Sequence, residues 1–277
     1  AIHEHGIPTE FTPDALREAE TAPAPALGRG VDLRQLPLLT IDPPDARDHD
    51  DAVWAEADPD PKNKGGWKAI VAIADVAHYV RPGSALDREA LKRGNSSYFP
   101  DRVVPMLPEA LSAGLCSLIE GEDRAVLAVR MKFDARGNKL GHEFVRGLMR
   151  SNASLSYAQA QAAMDGTPDA ITAPLLETVI RPLYGAFRVL YQARAARHPL
   201  ELELPERKIE LNAAGQVQAI RITERLDAHR LIEEFMIAAN VCAAETLERH
   251  RLVCMYRIHA EPALEKLESL RTFLKTL

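Results

Sequence analysis

Cysteine is scarce in this chain. Only Cys116, Cys242 and Cys254 occur in 277 residues, an odd number, widely spaced and in apolar surroundings, which argues against a disulfide framework or a zinc knuckle. Long apolar runs are missing too. Stretches such as VAIADVAHYV are interrupted by charge well short of the roughly 20 apolar residues that cross a bilayer, so no membrane span is expected. The start, AIHEHGIPTE, has no basic region followed by an apolar core, which excludes a secretory signal there, and the missing initiator Met leads us to expect a fragment. Positive charge is not in excess either. A net charge of -6 weighs against a broad nucleic-acid-binding face and leaves room only for local contacts. A reducing, cytoplasmic setting fits these absences.

What is present is a chain of 46% hydrophobic residues, enough to bury a substantial core. FTPDALREAE reads as a short helix and TAPAPALGRG as a linker, so we expect an N-terminal segment over 1–30 and a compact domain over 31–277. WKAIVAI, bounded by Gly65 and Gly66, reads as a buried strand. Ser84 with Asp87 three residues on predicts a helix start, and Gly94 its end. Residues 125–133 and 139–149 flank a turn at 134–138, and 200–211 and 216–222 flank another at 212–215, two hairpin signals. Helical patterns cover 156–164, 174–196, 227–250 and 261 to the end. Hairpins and helices come in groups rather than in alternation, which predicts an α+β fold with mixed or antiparallel sheets and packed helices.

The most unusual stretch is TIDPPDARDHDD, with five carboxylates between Asp42 and Asp51. Two unit charges 4 Å apart interact by about 4 kcal/mol at an effective dielectric near 20, so converging carboxylates repel severely unless protonated or neutralised. A divalent cation removes the conflict, and Mg²⁺ suits carboxylate oxygens while leaving room for a substrate phosphate. Pro43 and Pro44 force a loop after the first strand. If a second extended run begins at Asp48, alternation puts Asp48 and Asp50 on one side and Asp51 on the other, with His49 turned away from Asp48 and Asp50. The competing reading is a solvated acidic loop, and Asp45 after two prolines is most simply a turn residue. An EF-hand fails, because counting from Asp48 puts Pro59 where the closing Glu belongs.

LPLLTIDPPDARDHDDAV resembles the catalytic-domain signature of the ribonuclease II and ribonuclease R family. The likeness continues through VAIADVAHYVRPGSALDREALKRGNSSYFPDRVVPMLPEALSAGLCSL and AHRLIEEFMIAANVCAAETL, and bacterial ribonuclease R is the nearer branch. It implies a hydrolytic 3′-to-5′ exoribonuclease that degrades single-stranded RNA processively to nucleoside 5′-monophosphates by two-metal-ion hydrolysis. It assigns Asp42, Asp48, Asp50 and Asp51 to metal, with Asp50 and Asp48 central to cleavage, and Mg²⁺ as the cofactor, Mn²⁺ substituting. Tyr157 matches a tyrosine beside the scissile phosphate, Tyr98 an aromatic that stacks on a base, and Glu233 or Glu234 an acid near the terminal ribose. Arg93 and Arg102 join Tyr98 as RNA-binding candidates in a local phosphate track. Asp45 and His49 fall outside the set.

Each of these has a plainer reading: Tyr98 as a loop anchor, Tyr157 as a staple at a helix start, and the Glu pair as a solvated helix face. Departures from the family pattern are Pro43-Pro44 and His49. The helical pattern runs to Leu277 without a cap, so the chain is expected to hold roughly the first two thirds of a catalytic domain, with apolar surface left uncovered and without the family's OB-fold RNA-binding domains. A monomer is expected. The alternative function is a catalytically incomplete module that binds RNA or metal.

Overall fold

A computed structural model describes residues 2–199, 206–212, 214–258 and 260–276. The expected hairpin over 200–222 therefore falls partly outside the described residues. The chain forms two compact units, Ala1–Ala239 and Asn240–Leu277. Among the described residues no helix is long and apolar enough to cross a membrane.

The first unit is built on a seven-stranded mixed sheet. Its strands are β1 (Val31–Asp32), β2 (Leu39–Asp42), β3 (Asp51–Ala57), β4 (Trp67–Ala74), β7 (Asp123–Phe133), β8 (Lys139–Arg150) and β9 (Ala153–Ser156), in the order β1-β8-β7-β4-β3-β2-β9. The intervening β5 (Ser97–Tyr98) and β6 (Val103–Val104) form a small separate hairpin. The β-branched run at 67–73 becomes the central strand β4, antiparallel to β3 and to β7. The β7–β8 hairpin turns at Asp134, whose carboxylate accepts from the Arg136 and Asn138 backbone N–H groups. Both sheet edges are parallel pairs, β1 with β8 and β2 with β9, which accounts for the mixed character that the grouped pattern predicts.

Helices α1 (Pro13–Glu20), α2 (Val76–Tyr79) and α3 (Ala85–Arg93) precede the β5–β6 hairpin; α4 (Tyr157–Met164) and α5 (Arg181–Ala195) follow the sheet. Ser84 caps α3 through the Asp87 N–H, and Gly94 ends it at φ 77°, a left-handed conformation that glycine adopts without strain. The single helix expected over 174–196 begins instead as a 3-10 turn, Ala173–Leu175, and a wider turn, Leu176–Ile180, before α5. Pro174 and Pro182 each lack a backbone N–H, which prevents one regular ladder across this stretch. α5 lies against β3 and β4, and Gly185 permits the approach: a Cβ there would stand 2.2 Å from the Trp67 ring.

The N-terminal segment is not a separate appendage. Ala15 and Ala19 of α1 are buried in the core with Leu33, Leu38, Leu86 and Leu118, and Glu18 accepts the Ala85 and Leu86 N–H groups at the start of α3. The apolar periodicity of FTPDALREAE carried this packing, which the Pro- and Ala-rich residues after it obscured.

Beyond the sheet come the hairpin β10 (Glu206–Leu211) and β11 (Val217–Thr223), then α6 (Asp227–Arg249) and α7 (Leu264–Leu274). In the second unit Val253, Met255 and Ile258 are exposed.

Candidate active site

β2 ends at Asp42, and the chain turns through Pro43 and Pro44 with the Ala46 N–H donating to the Pro43 carbonyl. Regular extended structure resumes only at Asp51, the first residue of β3, not at Asp48 as alternation required. The reason lies in a long-range anchor. Ser117, fully buried, donates to the Arg47 carbonyl (2.8 Å) and accepts the His49 N–H (3.1 Å), while the Leu118 N–H donates to the His49 carbonyl (2.9 Å). Arg124 Nε in turn donates to the Ser117 carbonyl at 2.7 Å. The acidic loop is held to its neighbours by backbone bonds rather than left as a solvated strand end.

This geometry turns His49 into the site. Its Nδ1 lies 2.7 Å from Asp42 Oδ2, with both side chains mostly buried, so a protonated Nδ1 donates to that carboxylate. The hydrogen bond that His49 donates to Asp42 is the main cause that raises the His49 pKa. His49 was expected to turn away from Asp48 and Asp50; the contact it makes is with Asp42, across a loop that is not extended and to which strict alternation does not apply.

The four aspartates share one electrostatic neighbourhood. Burial, then Asp42 and Asp50, push the Asp51 carboxyl up to about 7. Burial, then Asp48 and Asp42, also raise Asp50, although its side chain keeps contact with solvent and the burial part is correspondingly weaker. Asp45 stands apart, exposed and paired with Lys208 at 3.0 Å, as a turn residue should.

Tyr157 reaches the same place by register. β9 runs parallel to β2 with Ser156 opposite Asp42, and Tyr157 is the next residue, opening α4 behind the Ser156–Gln159 capping box. Burial and the fields of Asp42, Asp51 and Glu233 push its phenol up to about 12. On the other side the Tyr98 hydroxyl donates to Asp48 Oδ2 at 3.1 Å, and its ring is 67% exposed. Beside Tyr98 lies a cavity of about 250 Å³, lined by Asp48, Asp50 and Tyr98 together with Ile73, Leu107 and Cys116. Cys116 is held as a neutral thiol, burial pushing it to about 12.

The two glutamates separate. Glu234 is 4% exposed and pairs with Arg194 of α5 at 2.6 Å, so it braces helix packing. Glu233 pairs with Arg225, and its charge acts on the Tyr157 phenol. Arg93 is not on an RNA track: its side chain is 2% exposed, lies over the Phe11 ring, and donates to the carbonyls of Pro8, Glu10 and Pro105. A Phe and two loop carbonyls distant in sequence gave no local signal of that burial. Arg102 is exposed, pairs with Asp101 at 2.8 Å, and lies in the hairpin that carries Tyr98.

His229 escaped sequence reading altogether. Its ring stacks on Tyr157 with centroids 4.0 Å apart and planes 18° from parallel. The signal was present in principle, because His229 and Glu233 are four residues apart on a helix and so share a face.

The donors are hard carboxylate oxygens whose mutual repulsion a cation would relieve. They do not form a ready cage: among the described residues, no three or more His, Cys, Asp or Glu side chains stand together as a set able to hold an ion. Mg²⁺ commonly takes only one or two carboxylates and completes its shell with water and substrate phosphate, so the donor chemistry fits while a fully protein-made site does not.

Fold and site together define an acid-cluster domain in which an aspartate-rich loop, pinned by a buried serine, joins two neighbouring strands, β2 and β3, of a mixed seven-stranded sheet. The family is shown by comparison: the RNB domain model matches residues 31–277, and the chain belongs to that family. It is 42% identical to ribonuclease R of Vibrio parahaemolyticus over 284 aligned positions, covering all of this chain and 33% of that protein. Ribonuclease R of Escherichia coli is also 42% identical, with 34% of its length covered. Among solved structures, Mycoplasma genitalium RNase R in complex with ribose methylated single-stranded RNA superposes with a TM-score of 0.92 at 27% identity, over all of this chain and 43% of that one. The chain thus spans about a third of the length of the curated relatives it matches.

Proposed function

We propose that this chain carries the hydrolytic centre of a 3′-to-5′ exoribonuclease that acts on single-stranded RNA and releases nucleoside 5′-monophosphates processively. What supports the reading is the electrostatic coupling of Asp42, Asp48, Asp50 and Asp51, with Tyr157 coupled to Asp42 and Asp51. Family membership supports it, and the relatives' names are those of ribonucleases.

In this reading Asp42, Asp48, Asp50 and Asp51 would hold Mg²⁺, or Mn²⁺ in its place, as two ions. Such ions supply a water of lowered pKa and stabilise the leaving oxygen. Water oxygen bonds to phosphorus as the P–O3′ bond breaks; the released nucleotide keeps the 5′-phosphate and the shortened strand gains a 3′-hydroxyl. The chain's own residues place the reactants. Tyr98, its hydroxyl fixed by Asp48 and its ring open, offers a stacking face to any base. Tyr157 contributes a neutral phenol beside the scissile phosphate. Glu233 accepts from the terminal 2′-hydroxyl, which separates RNA from DNA. Arg102, exposed on the hairpin that carries Tyr98, contacts a phosphate of the bound strand in this reading. OB-fold domains elsewhere in the parent, a monomeric state and a cytoplasmic location complete the proposal; the thiols of Cys116 and Cys254 suit a reducing compartment.

The second reading, a module that binds RNA without cutting it, is favoured by the donor set, which among the described residues does not close round an ion. Incubation of the chain with 3′-labelled single-stranded RNA and Mg²⁺, beside Asp50→Asn, decides between them. Metal-dependent mononucleotide release lost in the variant supports hydrolysis; RNA bound but uncut by both proteins supports the module.

A further inference from the structure

Tyr157 opens α4, and a residue at the first position of a helix has freedom that the helix interior lacks. Two contacts, one turn apart on α4, remove it. At the first, the Tyr157 ring lies on His229 at 4.0 Å, nearly parallel. At the second, Gln161 Oε1 accepts the Ala228 N–H at 3.1 Å and the Tyr184 hydroxyl at 3.4 Å. Residues 228 and 229 are consecutive in the first turn of α6, so ring and amide register the same two helices at two points.

His229 is itself oriented. Its Nδ1 accepts the Leu226 N–H at 3.0 Å, which fixes the plane of the imidazole and puts the proton of the neutral ring on Nε2. The plate under Tyr157 is therefore set by backbone geometry. The same helix carries Glu233 one turn on, so a displacement of His229 moves the phenol and the proposed ribose acceptor relative to the aspartates together.

We infer that His229 is a positioning residue: it holds the Tyr157 phenol over the acid cluster through ring stacking, and it acts on substrate only through Tyr157. The inference rests on the hydrolytic reading for its kinetic consequence and on geometry alone for the stacking. The stacked aromatic face carries it, so Phe at this position, although it cannot accept the Leu226 N–H, preserves the function whereas Ala does not.

The test uses the full chain with 3-fluorotyrosine at its tyrosines, the Tyr157 fluorine resonance being assigned by its loss in Tyr157→Phe. In His229→Ala the Tyr157 resonance moves toward the value of a solvent-exposed ring, and in His229→Phe it stays shifted away from that value. With single-stranded RNA and Mg²⁺, His229→Ala lowers kcat about tenfold with KM within about twofold, and His229→Phe restores most of kcat. A Tyr157 resonance unchanged in His229→Ala overturns the inference, as does a kcat in His229→Phe as low as in His229→Ala, which would make the imidazole a chemical participant. If the unsubstituted chain releases no nucleotide, the hydrolytic reading falls, and the fluorine comparison still decides whether His229 holds Tyr157. A matching drop in melting temperature without any change at the Tyr157 fluorine reduces His229 to core packing and also overturns it.

Discussion

Asp51 offers the sharpest physical prediction. Its carboxyl is partly buried at the start of β3 and ionises near 7 rather than 3.8, through burial and the charges of Asp42 and Asp50. Its folded-state pKa is raised, so between about pH 4 and 7 the unfolded chain has released this proton while the folded chain keeps it. Stability is therefore greatest at low pH and falls as pH rises through that window. At about 1.4 kcal/mol per tenfold change in proton affinity the full penalty approaches 4 kcal/mol above pH 7; partial exposure and screening reduce it to about 1 to 3 kcal/mol. His49, also raised, loses its stabilising charge in the same direction, so only a difference isolates Asp51. The assay is urea unfolding of the chain in chelator from pH 4 to 9, beside Asp51→Asn. The variant should gain on the unsubstituted chain steadily from pH 4 to 7 and hold a constant advantage above. Mg²⁺ at pH 8 should stabilise the unsubstituted chain more than the variant. A difference that does not vary with pH, or a variant less stable throughout, would refute the repulsion argument.

Two further substitutions probe the supports of the site. Ser117→Ala leaves the His49 N–H and the Arg47 carbonyl without their buried partner; a loss of about 1 to 3 kcal/mol in unfolding free energy is expected, with faster amide exchange at His49, and unchanged exchange would show that the serine does not hold the loop. Glu234→Gln removes the carboxylate facing Arg194 across a nearly buried contact and should lower stability by about 2 kcal/mol, whereas Glu233→Gln should change stability by under about 1 kcal/mol and weaken discrimination of RNA from the DNA of the same sequence. Equal effects of the two on stability would contradict their division between packing and site.

Much of this was legible in the residues because it depends on local rules. The β7–β8 turn, the Ser84 cap and the strand expected over 67–73 follow from turn chemistry, capping and β-branched runs, and each formed where those rules put it, the strand running one residue further. The charge density of 42–51 announced a site for the same reason: like charges this close need a purpose. What stayed hidden depends on residues far apart in sequence. Ser117 fixes the acidic loop from 68 residues beyond His49, Arg93 is buried by carbonyls about 85 residues earlier, and the choice between Glu233 and Glu234 is made by Arg194 on another helix. His49 was misread because alternation was applied to residues that a long-range anchor had already taken out of a strand.

The central claim is that the Asp42, Asp48, Asp50 and Asp51 cluster hydrolyses RNA from its 3′ end. A time course of 5′-labelled single-stranded RNA with Mg²⁺, run with the unsubstituted chain and with Asp50→Asn, tests it most directly. The account predicts a labelled strand that shortens one nucleotide at a time from the 3′ side and an Asp50→Asn reaction that leaves the strand intact. Internal cuts at the earliest times, or equal shortening by both proteins, would contradict it.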